Sequence, residues 1–171
     1  MSSKKSKGLE RNIKKSNLKI IDIKFDCEKV FKTKKIKSFV EKSVDQTLEI
    51  LENKKRKTYV SVFLTNNEEI KKINSKYRKI NKSTNVLSFP QNEKRMISNL
   101  DNYLVLGDIV ISLEKILSEA NQQKKNFFDH LLHMIVHSTL HLYGFDHSNQ
   151  KESIVMEAKE KDIMKKILLE S

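Results

Sequence analysis

Four of the five histidines lie within residues 130–141: His130, His133, His137 and His141, at spacings of three, four and four. On a helix of 3.6 residues per turn they form one stripe, with His137 and His141 about 40° apart around the axis. The rest of the segment is Phe127, Phe128, Leu131, Leu132, Met134, Ile135, Val136, Leu140 and Leu142. A helix this apolar is buried, so its imidazoles face inward or into a cleft. Gly144 follows, and a glycine just past a helix takes φ > 0 and turns the chain back. His147 stands three residues later. The string HSTLHLYGFDH therefore offers two ligands one turn apart, an elbow, and a third ligand returned toward them. Zn²⁺ takes neutral imidazole nitrogens at roughly 2.0–2.1 Å, and three protein ligands plus a water form the usual catalytic arrangement. One such histidine is ordinarily a hydrogen-bonded core residue. Three at this spacing, with the glycine in place, read as a zinc site.

The same string fits H-x-x-x-H-x-x-G-x-x-H, the spacing of the metzincin peptidases. Those enzymes carry glutamate directly after the first histidine, as base for the zinc-bound water. Here that position is Ser138, so the ligand spacing is present and the proteolytic base is not.

Composition narrows the setting. Cys27 is the one cysteine, which excludes an intramolecular disulfide, a Cys-rich zinc finger and an iron–sulfur site. No apolar run approaches the ~20 residues of a membrane span. The N-terminal stretch has no apolar core of a secretory signal. The expectation is a soluble, cytoplasmic protein. The 34 basic and 22 acidic residues leave +12, which points to a polyanion, RNA first. Yet 30 of those 34 are lysine, beside three Gly, two Ala and one Pro, the usage an AT-rich genome gives any protein. Charge alone does not decide.

The elements that must hold the histidines follow from periodicity. Residues 1–16 read as a disordered basic tail and 17–171 as one domain. Strands are expected at Leu18 to Phe25, Tyr59 to Leu64, Val86 to Phe89 and Tyr103 to Ile111. Helices are expected from Lys35 to about Asn53, from a cap at Asn66 or Asn67 to about Arg78, and from Ser112 to about Gln122. Two more run from Phe127 to Tyr143 and from about Gln150 to Leu169, and residues 91–102 read as a polar loop. The class is α+β, a small mixed sheet of about four strands packed with about five helices. The metal site falls on the penultimate helix and the loop after it.

The histidine string resembles that of the YbeY-type endoribonucleases, bacterial rRNA maturation factors with the pattern H-G-x-L-H-L-x-G-[YF]-D-H. The segment INSKYRKINKSTNVLSFP, Ile73 to Pro90, resembles that family's L-N-x-x-Y-R-x-x-x-x-x-T-D-V-L-S-F-P. LGDIVIS, Leu106 to Ser112, resembles its L-G-D-I-x-I. Ser138 departs from the glycine after the first ligand. Asn85 departs from the aspartate before V-L-S-F-P, so any role of that carboxylate does not carry over.

The resemblance implies a zinc-dependent endoribonuclease for single-stranded rRNA, acting in small-subunit 3′-end maturation. It implies one zinc per chain on His137, His141 and His147. The small ribosomal subunit and its assembly factors are the implied partners, with no membrane and no DNA. Arg78 is implied to serve activity. Its chemistry suits that role, because a planar guanidinium grips two phosphate oxygens or offsets charge at phosphorus as lysine cannot. Asp146 either accepts an imidazole N–H or only stabilises its turn. His133 is expected beside the ligands rather than among them. Thr84 and Ser88 either contact RNA or pin a strand edge, and Phe89 is structural. Gly107 within a strand signals a bulge or close backbone approach, which would aim Asp108 into the cleft. Two other readings remain: an RNA- and ribosome-binding assembly factor with a structural zinc, and a metallopeptidase.

Overall fold

The structure is a computed structural model and describes residues 12–16, 19–26, 32–52, 57–91 and 103–169. The polar segment 92–102 and most of the basic run at 54–57 lie outside the described residues. Alternating or continuous apolar residues make strands β2 (Lys19–Phe25), β3 (Thr58–Thr65), β4 (Val86–Pro90) and β5 (Leu104–Ser112), and β1 (Asn12–Ser16) precedes them. Helical periodicity makes α1 (Thr33–Leu51), α2 (Asn67–Arg78), α3 (Leu113–Gln122), α4 (Phe127–Leu142) and α5 (Gln150–Leu169). Side-chain caps fix the starts of α2 and α3, as another does for α4. Asn66 accepts from the Glu69 N–H at 2.9 Å and Ser112 from the Lys115 N–H at 3.3 Å.

The sheet order is β1-β2-β3-β5-β4, with β2, β3 and β5 parallel and both edge strands antiparallel to their neighbours. The α+β class holds, with a sheet one strand wider than expected. The expectation of a disordered tail over residues 1–16 is corrected for Asn12–Ser16. These pair with β2 from Asn12 opposite Ile23 to Ser16 opposite Lys19. An edge strand is held by backbone pairing on one side and tolerates lysine, so hydrophobic patterning does not reveal it. Residues 1–11 lie outside the described residues.

One sheet face carries Val60, Val62, Leu64, Ile109 and Ile111, packed with Val40, Val44 and Leu48 of α1 and Leu131 and Ile135 of α4. On the other face Ile70 of α2 packs on Leu87 and Val110. Helix α4 thus lies against one side of the sheet and α2 against the other.

Gly107 lets the end of α4 press onto that sheet. Its φ is +140°, and a Cβ there would lie 2.2 Å from the Phe89 carbonyl oxygen and 3.1 Å from Leu142 Cδ2. The β3–β5 register also shifts beside it, between Tyr59 and Val60, as expected for a bulge. Gly107→Ala should cost about 3 kcal/mol or more, since backbone strain and overpacking each cost on the order of 1–3 kcal/mol. Chemical denaturation measures this, and an unchanged midpoint would contradict the packing described.

Candidate metal centre

Helix α4 begins at Asn126, whose side chain accepts from the Phe128 N–H at 2.8 Å, and is wedged between two apolar clusters. Leu131, Met134, Ile135 and Leu142 face the sheet and α1. Leu132, Val136 and Leu140 face Met156, Ile163 and Ile167 of α5. The histidine stripe is the strip left between them. At the C-terminus the Gly144 N–H reaches the His141 carbonyl at 3.0 Å and the Phe145 N–H reaches the Leu140 carbonyl at 3.1 Å. This pair of bonds is the Schellman ending, completed by Phe145 packing in the cluster that holds Leu140. Gly144 has φ +86°, and a Cβ at this position would meet nothing within 4 Å. The demand for glycine is therefore one of dihedral angle and not of space.

That turn brings His147 back to the helix. His137, His141 and His147 offer ligand nitrogens that all lie within 4.8 Å of one another. His137 Nε2 and His141 Nε2 are 3.2 Å apart. Two nitrogens on a tetrahedral zinc at ~2.05 Å would stand about 3.3 Å apart, so the donor set fits such an ion. Burial above all holds His141 below the usual imidazole pKa. It therefore keeps the neutral form that a metal requires.

Glu160 of α5 joins the site without any motif in the sequence to announce it. Its Oε1 lies 2.6 Å from His137 Nδ1 and its Oε2 lies 3.1 Å from His133 Nε2. Burial pushes its carboxyl pKa up, but the bonds from His133 and His137 and their charges outweigh this and bring it to about 2. An ionised carboxylate only accepts, so His137 carries its hydrogen on Nδ1 and presents the Nε2 lone pair to His141 and His147. One signal for Glu160 does exist, because it falls between Met156 and Ile163 on the buried stripe of α5. Glu160→Gln keeps the shape, loses the charge, and should weaken zinc binding by about 10- to 100-fold. Competition with a chelator of known affinity measures the change; an unaltered affinity would remove Glu160 from the site.

The Endoribonuclease YbeY family model matches residues 22–168. The chain belongs to the YbeY endoribonuclease family. A relative named Endoribonuclease YbeY from Bartonella bacilliformis is 38% identical over 155 residues, covering 91% of this chain and 94% of its own. One of the same name from Neorickettsia sennetsu is 38% identical over 138 residues, 81% of this chain and 90% of its own. A Thermotoga maritima protein solved in solution shares the fold, with TM-score 0.60 and 24% identity over 88% of this chain and 90% of its own.

The other candidate residues of this YbeY-family chain are dispersed. His133 is half-buried and bound to Glu160, outside the three-histidine group. Asp146 accepts from the His147 backbone N–H at 2.8 Å and from the Ser148 hydroxyl, and these bonds lower its pKa. It thus stabilises the turn that carries His147. Buried Ser138 donates to the Met134 carbonyl at 2.7 Å and faces the core. Arg78 is exposed and donates from Nη2 to the Ser88 carbonyl at 3.2 Å, at the outer edge of the sheet.

The expectation that Asp108 points into the cleft is corrected. It is exposed and adjoins Val110 by strand alternation, on the α2 side of the sheet, while Ile109 and Ile111 lie under α4. His130, His133, His137, His147 and Glu160 line a cleft of about 1100 Å³. Arg78 and Thr84 line a separate depression of about 340 Å³, and Asn85 lines both. Asn85 Nδ2 donates to Glu119 Oε2 at 3.1 Å, and the same oxygen is 2.9 Å from His130 Nε2. An aspartate at position 85 would face Glu119 with like charge, so the amide suits this partner.

Proposed function

We propose that the chain is a zinc-dependent endoribonuclease for single-stranded rRNA, acting in small-subunit 3′-end maturation. On this reading the domain built on the sheet, β1 included, is the catalytic domain, and the small subunit with its assembly factors is its cytoplasmic setting. The observation that carries the reading is the His137, His141 and His147 group with His137 oriented by Glu160. A zinc ion bound there supplies Lewis-acid chemistry, lowering the pKa of water or polarising a phosphate oxygen.

The chain's own residues do the rest. Three imidazoles hold the ion, and Glu160 fixes the tautomer of the first. Among the described residues the group has no fourth protein ligand, which favours a catalytic over a structural zinc. Arg78, on the neighbouring depression, keeps N–H donors beyond the one given to Ser88 and offsets negative charge on the phosphate. Ser138 offers no base for peptide hydrolysis.

The test is cleavage of a single-stranded segment from the 3′ end of small-subunit rRNA, free and within assembled subunits, with zinc and after chelation. Zinc-dependent cuts are expected. Their absence from both substrates would leave an assembly factor with a structural metal.

A further inference from the structure

The stretch from Lys76 to Gln91 contains Lys76, Arg78, Lys79 and Lys82 and no Asp or Glu. Every residue from Lys76 through Lys82 is exposed. Among them is a large aromatic, Tyr77, 61% exposed, with Ile80 at 52% beside it. One exposed aromatic is ordinary on a protein surface; the cations gathered around this one are what distinguish it.

This surface is held firm. Phe89 meets the Tyr77 ring edge-on at 5.5 Å and 62° and is itself packed on Ile70, Leu87 and Val110. Lys79 takes a left-handed φ of 62°, and Asn74 pins the turn that follows. Its Nδ2 donates to the Lys82 carbonyl at 2.7 Å and its backbone carbonyl accepts from the Ile80 N–H at 3.4 Å. Lys76 Nζ stands 5.2 Å from the Tyr77 ring centre. The acidic residues of the same helix, Glu68 and Glu69, are engaged by Lys72 at 3.1 and 3.3 Å. The patch therefore presents cations and an aromatic face; of the carboxylates bordering it, Glu119 is engaged by Asn85 and His130, and Asp108 stands opposite Phe89 on the neighbouring strand.

We propose that Tyr77 is a stacking platform for a base of single-stranded RNA outside the scission point, with Lys76, Lys79 and Lys82 taking the adjoining phosphates. The proposal rests on the ribonuclease reading above and adds where the strand lies. From Tyr77 the strand passes Arg78 and reaches Asn85, the residue shared by the Arg78 depression and the histidine cleft. A fixed ring face plus flanking lysines is how single strands are held with little sequence preference.

The experiment uses the full zinc-loaded chain and a labelled single-stranded oligoribonucleotide, reading binding by anisotropy and cleavage by gel. Tyr77→Ala should bind about tenfold more weakly or worse, with the deficit in KM rather than kcat. Tyr77→Leu keeps apolar contact with Phe89 but lacks a π face, and should show the same loss. Tyr77→Phe should restore binding. The Tyr77 variants should keep the wild-type salt dependence, whereas Lys82→Ala should lower its slope by about 0.7. Wild-type affinity in both Tyr77→Ala and Tyr77→Leu, from a protein that still cleaves, would overturn the platform and make the patch a protein contact. A wild-type chain that neither binds nor cuts RNA would overturn the platform together with the ribonuclease reading.

Discussion

Alanine at His141 should strip the chain of zinc and abolish cleavage above background. Burial and the Nε2 contact with His137 at 3.2 Å place His141 at the centre of the group. Its ring also lies 5.0 Å from that of His147. Zinc sites bind with roughly 10–16 kcal/mol in total, so one of three protein ligands accounts for enough to weaken affinity by at least about a hundredfold. The side chain is not a keystone of the core, so the helix should persist. Elemental analysis of the purified variant beside wild type, with circular dichroism for helix content, separates metal loss from unfolding. A His141→Ala protein with undiminished zinc would refute the ligand assignment.

Arg78→Ala should keep the fold and the full zinc complement, yet slow single-turnover cleavage by about a hundredfold or more, the scale of losing one charge-stabilising donor. Its contacts are the Ser88 carbonyl and the Phe89 ring, whose centre lies 6.0 Å from the guanidinium carbon. Both are at the sheet edge, so the loss removes little from the core. Arg78→Lys should recover only part of the rate, because a point charge lacks the two-pronged geometry. A deficit that vanishes at saturating RNA would make Arg78 a binding residue, since such a role falls on KM. Wild-type rates at every concentration would end its part in the reaction.

What is legible in the sequence is local. The α4 stripe, the Gly144 elbow and the return of His147 all follow from periodicity and one permissive dihedral angle within residues 130–147. Glu160 lies 23 positions beyond His137 in the chain, and only the packing of α5 on α4 brings them together. Alternation puts Asp108 on the same face as Val110, but which helix covers that face is set by the packing of α2 and α4 on opposite sides of the sheet, which no local pattern shows. The edge strand β1 escapes patterning because lysines on a one-sided ladder look like a solvated tail. Arg78 stands out by residue type, but its separation from the histidine cleft depends on α2 and α4 covering opposite faces of the sheet.

The two ends of the proposed ligand set differ in one respect that bears on metal exchange. His137 and His141 belong to a helix sealed between two apolar clusters, whereas His147 is exposed on the loop after the Schellman turn. A metal held there would meet a fixed pair of nitrogens on α4 and one exposed imidazole, His147, free to swing aside, with the Asp146 bonds to the His147 N–H and the Ser148 hydroxyl steadying its loop, so that release would need no unwinding of α4.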